Sequence, residues 1–218
     1  MGKVKPTLIY VYDPLCGWCF GFHPVMEKLA LRFKDKLSIS VVPGGLAIGD
    51  NAQTIGEGYS YIAGALNQVE KATGVQFGEN FKLLAEEGSY LYDSMSSCKA
   101  QNIVNKLTPE LALNFAGKLQ HALFVDGKNL NQKETFIELL KDSDIRPDAF
   151  SELYENNEIT TKTTELFDWC RRVDAAAFPT LLLEINGEIG VMSKGYRPYD
   201  TIESHLHHLV NNIEKMSL

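Results

Sequence analysis

Residues 7–22 read TLIYVYDPLCGWCFGF, and this stretch decides the fold expected of the whole chain. Its first six residues are an apolar, β-branched and aromatic run that suits a buried strand better than a helix, and Asp13-Pro14 closes the run. Cys16 and Cys19 follow with C-x-x-C spacing. The apolar residues after them recur at helical spacing, which predicts a helix over about 16–34 with a kink at Pro24. The stretch therefore predicts a strand, a dithiol and a helix in immediate succession.

A dithiol at the point where a strand meets a helix has a specific chemical use. Cys16 would lie at the helix N-terminus, where unpaired backbone N–H groups and the helix dipole favour a thiolate. Cys19 lies one turn further along and is placed to attack a mixed disulfide formed on Cys16. The competing interpretation is half of a structural zinc site, which usually needs four N or S ligands in paired spacings. The chain has no second C-x-x-C and no H-x-x-x-H, so we expect redox chemistry and no metal.

The remainder of the chain divides into a helical middle and a mixed end. Residues 37–42 alternate as a second strand, whereas residues 46–155 show helical patterns and no convincing strand. Asn186-Gly187 lies between two apolar runs and is a strong hairpin signal. The elements predicted for the end of the chain are a helix at 160–173, strands at 180–185 and 188–192, and a helix at 199–213.

These features together resemble the thioredoxin superfamily. The resemblance lies in a strand followed by Cys16-Gly17-Trp18-Cys19 and, much later, Ala177-Phe178-Pro179-Thr180 entering a strand hairpin. The helical middle is similar to the DsbA branch, and DPLCGWCFGF at 13–22 resembles the cytosolic FrnE-like group of predicted protein-disulfide isomerases. The resemblance implies an α/β fold class with two domains. Residues 1–45 and 155–218 would form a thioredoxin-fold domain, interrupted by an α-helical insertion domain of residues 46–154.

The resemblance also implies roles for five residues. Cys16 matches the attacking cysteine and Cys19 the resolving cysteine. Pro179 matches the cis-proline that faces the two thiols, and Phe178 would present its backbone to an extended substrate. Trp18 would form an apolar substrate contact or pack against the helical block. The chain departs from thioredoxins and DsbA in one respect, because its first strand lacks their acidic residue under the active site, which leaves the proton handling of Cys19 open.

The other cysteines and the nearest histidine have different expected roles. Cys170 shares a helical stripe with Leu166 and Phe167, so we expect it to pack as a small core residue. Cys98 follows two serines near a helix start, where it would be either an inert buried thiol or a redox or shuttling thiol. His23 lies about 10 Å along the helix from Cys16, too far to act as its base.

Composition excludes several classes of partner. The chain has 218 residues, of which 21 are Lys or Arg and 28 Asp or Glu, giving a net charge of −7. Without a basic run this balance disfavours nucleic acid, and no apolar stretch approaches the roughly 18 to 20 residues that a membrane span needs. The first residues do not read as a signal peptide. We therefore expect a cytoplasmic protein that binds neither nucleic acid nor membrane.

The predicted function is thiol-disulfide exchange, as an oxidoreductase or isomerase acting on protein or peptide thiols and disulfides. It would need no cofactor besides the redox-active Cys16-Cys19 pair, with glutathione as an optional co-substrate. Two alternatives stay open. Kappa-class glutathione transferases and 2-hydroxychromene carboxylate isomerases share the interrupted fold, although they generally have a serine where Cys16 stands. A non-catalytic chaperone or adaptor would instead bind apolar segments on the helical block.

Overall fold

A computed structural model describes the backbone of residues 5–215, with side chains described at 5–57 and 64–212. Its elements, in chain order, are β1 (Thr7–Tyr12), α1 (Gly17–Arg32), β2 (Ser38–Pro43), β3 (Gln53–Thr54), α2 (Tyr59–Thr73), α3 (Glu79–Glu87), β4 (Leu91–Tyr92), α4 (Met95–Leu107), α5 (Ala112–Phe124), α6 (Lys133–Leu139), α7 (Pro147–Glu155), α8 (Asn157–Arg172), β5 (Thr180–Ile185), β6 (Glu188–Lys194) and α9 (Tyr199–Lys215). The mixed α/β class is as predicted. Within this described part of the chain, no helix is long and apolar enough to cross a membrane.

The main sheet has four strands in the order β2-β1-β5-β6. β1 runs parallel to β2 and antiparallel to β5, so that Thr7 pairs with Ser38 on one side and Glu184 on the other. β5 and β6 form the predicted hairpin. Its two turn residues, Asn186 and Gly187, have φ values of 53° and 87°, as the tight turn that suits twisted strands requires. This is a thioredoxin-type sheet with β1 at its centre.

β1 is buried on both faces, as its continuous apolar sequence predicts. Leu8, Tyr10 and Tyr12 point into a core shared with α1 and α9. Ile9 and Val11 point the other way, into a smaller cluster that contains Cys170 and Leu182. Because successive residues of a strand face opposite sides, this one strand carries two separate cores.

The segment between β2 and α8 forms a helical body with its own core. That core contains Phe77, Phe81 and Phe124, whose ring centroids lie 5.1 to 5.9 Å apart. One detail of the sequence interpretation was wrong, because two short strands pair in this segment. β3 and β4 have two residues each, too few to leave a periodic signal. α7 begins at Pro147, since proline is tolerated at the first helical position.

α4 connects this helical body to the main sheet through buried and half-buried polar side chains. The Tyr12 hydroxyl donates to Gln101 Oε1 at 2.6 Å, and Gln101 Nε2 in turn donates to the carbonyl of Ala112 at 3.1 Å. Asn105 Nδ2 donates to the Val41 carbonyl at 2.8 Å. α4 therefore fixes the end of β1 that leads into the C-x-x-C turn. The division of the chain at residues 45/46 and 154/155 stays a prediction.

Candidate active site

Cys16 occupies the N-cap position of α1, as the sequence pattern predicts. Its backbone is extended, with φ −87° and ψ 112°, and its N–H donates to the Asp13 carbonyl at 3.1 Å. Only 6% of the residue is exposed. Its Sγ lies 3.7 Å from the Phe178 carbonyl oxygen, to which it donates as a thiol. The sulfur is thus held at the first turn of the helix, beside the segment that enters β5.

Cys19 lies one helical turn further along α1 and is fully buried. Burial raises the pKa of the Cys19 thiol well above its ordinary value, and the adjacent Cys16 adds to this shift. The Tyr10 hydroxyl donates to the Cys19 carbonyl at 3.3 Å and fixes this turn against β1. All four cysteines are free thiols. The pair therefore combines a nearly buried sulfur at the helix N-terminus with a fully buried neutral thiol behind it.

The Phe178-Pro179 peptide bond is cis, as the resemblance implies. Pro179 is buried, and its carbonyl accepts a hydrogen bond from Gly195 N–H at 2.7 Å. The Phe178 ring packs directly over Gly44, which follows β2. The absence of a side chain at Gly44 gives the ring its space, so the end of β2 determines where Phe178 lies.

An apolar cleft of about 350 Å³ opens beside Cys16. One wall comes from the C-x-x-C turn and the segment before β5, and the other comes from the helical body. No side chain named as lining it carries a formal charge. The lining residues are Leu15, Cys16, Gly17, Trp18, Leu46, Ala65, Leu66, Val69, Tyr92, Phe124, Ala176, Ala177 and Phe178. A substrate at Cys16 would therefore contact both halves of the molecule.

Trp18 packs against the helical body, which was one of the two alternatives that the sequence left open, and its substrate contact stays a prediction. It lines the cleft, and its ring lies 6.1 Å from that of Tyr196 while packing against both large cores. The structure thus brings together all five residues implied by the resemblance, Cys16, Trp18, Cys19, Phe178 and Pro179. Their roles in catalysis and substrate binding stay predictions.

The family model described as Thioredoxin matches residues 10–204 of this chain. The chain belongs to the thioredoxin family. The matched segment contains the second half of β1, the C-x-x-C turn, the helical body and the β5-β6 hairpin, so the family match includes both the sheet strands and the helical segment between them.

Solved structures with this fold include several DsbA-type proteins. A candidate protein disulfide isomerase from Nitrosomonas europaea superposes with a TM-score of 0.84 at 24% identity, over 96% of this chain and 99% of that one. The cytosolic disulfide reductase DsbM from Pseudomonas aeruginosa, also solved with GSH, gives 0.79 at 24% identity over 94% and 98%. A 2-hydroxychromene-2-carboxylate isomerase gives 0.63 at 16% identity over 97% and 100%. At these identities the likeness shows the fold.

A curated relative has a different kind of function. The ClpXP adapter protein SpxH from Bacillus subtilis is 21% identical over 98% of this chain, which spans 71% of that protein. A second SpxH, from Halalkalibacterium halodurans, is 22% identical over 90% of this chain and 65% of its own length. The proteins to which this chain is similar therefore include ClpXP adapters as well as a disulfide reductase.

Asp13 is a buried residue of this thioredoxin site that was not among the five site residues predicted from the sequence. Its Oδ1 accepts from Leu15 N–H at 2.8 Å and from Ser94 Oγ at 3.0 Å. Its Oδ2 accepts from Leu46 N–H at 2.7 Å and from Cys98 Sγ at 3.7 Å. Burial raises the pKa of Asp13, and the hydrogen bonds that it accepts oppose that shift. β1 lacks an acidic residue, but an acid lies directly after it.

Cys98 and Cys170 are both buried and play different parts. Cys98 donates to Asp13, and burial together with the Asp13 charge raises its pKa well above the ordinary value. Cys170 packs with Ile9 and Leu182, and burial raises its pKa to about 12. Cys170 is the core residue that the sequence predicts, and Cys98 is a neutral hydrogen-bond donor in this structure.

Two further side-chain groups lie outside the cleft. His23 borders a separate cavity, and burial lowers its pKa. It is not among the cleft residues, as its distance along α1 predicts. Among the residues with described side chains, no group of three His, Cys, Asp or Glu is placed to hold a metal ion.

Proposed function

We propose that this protein is a thiol-disulfide oxidoreductase or isomerase that acts on protein or peptide disulfides through Cys16 and Cys19. The observation that carries the proposal is the placement of the two sulfurs. Cys16 lies at a helix N-terminus beside an apolar cleft and the Phe178 carbonyl, and Cys19 lies buried one turn behind it. Unpaired N–H groups at a helix N-terminus favour the thiolate that attacks.

The reaction is a pair of exchange steps. The Cys16 thiolate attacks one sulfur of the substrate disulfide, forms a mixed disulfide and releases the other substrate sulfur as a thiolate. Cys19 then gives up its proton and attacks Cys16 Sγ, which releases the second substrate thiolate and leaves a Cys16-Cys19 disulfide. Two electrons pass from the dithiol to the substrate. In the opposite direction, a substrate dithiol reduces the Cys16-Cys19 disulfide through the same mixed species.

The cleft favours a peptide substrate. Its lining is apolar, while the Phe178 backbone offers a carbonyl beside the reacting sulfur. Backbone contacts of this kind bind an extended peptide without reading its sequence. Glutathione is the proposed co-substrate that returns the pair to its starting state, supported by the likeness to a cytosolic reductase solved with GSH. The same likeness supports a cytoplasmic location.

The isomerase or transferase alternative is weaker on one specific ground. Such enzymes generally have a serine where Cys16 stands, whereas this chain has a second thiol one turn away, which a glutathione conjugation step does not need. The adaptor alternative has its own support in the SpxH relatives. An adaptor would bind its partner with or without a working dithiol, so Cys16→Ser separates the possibilities.

Insulin reduction by dithiothreitol tests the proposal. Wild-type protein should accelerate precipitation of the insulin B chain, Cys16→Ser should not, and Cys170→Ser should behave like wild type as a control for removal of a buried thiol. Titration of the Cys16-Cys19 pair against a glutathione buffer then gives the reduction potential and hence the direction in the cell. Equal rates for wild type and Cys16→Ser would exclude the redox function.

A further inference from the structure

The Asp13 carboxylate joins three segments that are far apart in sequence. Leu15 belongs to the C-x-x-C turn, Leu46 to the loop after β2, and both line the cleft beside Cys16. Ser94 and Cys98 lie at the start of α4. The four hydrogen bonds from these residues all end on the two oxygens of one fully buried side chain. The position of the cleft walls relative to Cys16 thus depends on Asp13.

The four donors around the Asp13 side chain favour its ionised carboxylate form. The N–H groups of Leu15 and Leu46 can only donate, and each takes one oxygen of Asp13. Ser94 Oγ accepts from Ala47 N–H at 3.1 Å, which leaves its hydrogen free to point at Asp13. An ionised carboxylate satisfies this whole arrangement, whereas an amide would bring its N–H₂ group against a backbone N–H.

The same residue is linked to both reactive cysteines. Its carbonyl accepts from Cys16 N–H at 3.1 Å, which closes the turn before α1. Burial is the main reason that the pKa of Cys19 is raised, and the negative charge of Asp13 acts in the same direction. A hydrogen bond from the Asp13 backbone N–H opposes the shift in part. The Asp13 backbone is therefore hydrogen-bonded to both cysteines, and its backbone N–H and its carboxylate charge have opposite effects on the pKa of Cys19.

We propose that Asp13 is a positioning residue of this site: its ionised carboxylate fixes the C-x-x-C turn and the cleft wall against α4. Ser94 and Cys98 hold the carboxylate in place, so Cys98 serves as a hydrogen-bond donor and not as a third redox thiol. This inference depends on the proposed exchange function, because it concerns the step in which Cys19 attacks Cys16.

That step can be observed by itself. A mixed disulfide between Cys16 and thionitrobenzoate is formed at low pH and mixed rapidly with buffers of increasing pH. Attack by Cys19 forms the Cys16-Cys19 bond and releases the coloured thionitrobenzoate anion, so absorbance reports the rate. The rate should rise with pH as the Cys19 thiol ionises and then reach a plateau.

Asp13→Asn should change both features of this profile. Loss of the negative charge should move the rising part of the profile to lower pH, because that charge contributes to the raised pKa of the Cys19 thiol. Loss of the hydrogen bonds should lower the plateau by about threefold or more, because small misplacements of reacting atoms are costly. A general loss of stability would not move the profile along the pH axis.

Variants of Cys98 and Ser94 provide a test that does not require Asp13→Asn to fold. Cys98→Ala and Ser94→Ala should each lower the plateau, Cys98→Ser should restore it because a hydroxyl can still donate to Asp13, and Cys170→Ala should match wild type. If the Cys98→Ala and Ser94→Ala variants keep the wild-type plateau, or if folded Asp13→Asn keeps the wild-type profile, the inference is wrong. Insulin reduction by wild type would then still support the proposed function.

Discussion

Gly44 determines the position of the Phe178 ring, which makes Gly44→Ala a sharp test of the cleft. A Cβ added at Gly44 would lie well under 3.0 Å from two ring carbons of Phe178 and 3.1 Å from a third, Cδ1. Cβ atoms in proteins essentially never lie this close to another carbon. The Phe178 ring therefore has to move by more than about 1 Å to reach ordinary van der Waals distance from the new Cβ. Overpacking of a core position costs about 1 to 3 kcal/mol in unfolding free energy.

The displacement should also reduce activity, because Phe178 lines the cleft and its carbonyl contacts Cys16. We expect kcat/KM for a peptide disulfide to fall about tenfold, which corresponds to about 1.4 kcal/mol of transition-state stabilisation. The assays are urea denaturation for stability and initial rates of peptide reduction over a range of substrate concentrations.

Two controls isolate the clash. Gly64→Ala makes the same chemical change in α2 at a position where, among the described residues and apart from the helix's own backbone and the two chain neighbours, nothing lies within 4 Å of the new Cβ. It should stabilise the helix by about 0.5 to 1 kcal/mol. Gly44→Ala combined with Phe178→Ala should recover part of the lost stability, since removal of the ring removes the overlap. If Gly44→Ala has wild-type stability and wild-type kcat/KM, Gly44 does not control the ring and the argument is refuted.

Three further predictions concern the dithiol, the α4 contact and acid stability. Cys19→Ser should accumulate a mixed disulfide with substrate, seen as an added mass in intact-protein mass spectrometry, whereas Cys16→Ser should form none. Tyr12→Phe should lower the unfolding free energy by about 1 to 3 kcal/mol in urea denaturation, because it leaves the buried Gln101 Oε1 without its donor. Burial lowers the pKa of His23, so the unfolded chain takes up the proton more readily as pH falls below about 6.5. Stability should therefore decline there by at most about 1.4 kcal/mol per pH unit, and His23→Gln should flatten that decline; an unchanged slope would contradict it.

The parts of the fold that could be predicted are those determined by residues close together in the sequence. The continuous apolar run of β1 needs burial on both faces, and Asn186-Gly187 supplies the positive φ angles of a tight turn without help from distant residues. α1 follows from apolar spacing and begins at Gly17, directly after Cys16 of the C-x-x-C motif. Short-range chemistry is enough in each case, so the sequence and the structure agree to within one or two residues.

The features that could not be predicted depend on contacts between residues that are far apart in the sequence. Asp13-Pro14 reads as an ordinary turn, because nothing nearby shows that Ser94 and Cys98, about eighty residues away, will donate to the carboxylate. One signal was available in α4. Ser94, Cys98, Gln101 and Asn105 recur at intervals of four, three and four residues, which places polar groups on one face of a helix. Such a stripe in a largely buried helix indicates partners across an interface.

The candidate site takes its residues from both the thioredoxin half and the helical body, so its chemistry cannot be assigned to the thioredoxin half alone. Cys16, Cys19 and Phe178 belong to that half, but Leu66 and Tyr92 on the opposite wall of the cleft come from the helical body. The Tyr92 hydroxyl donates to the Leu15 carbonyl, in the turn that Asp13 also holds. A change in the helical body would therefore alter both the surface that a substrate meets and the geometry of the turn that carries Cys16. Substrate preference and dithiol reactivity should accordingly change together when residues of this wall are replaced.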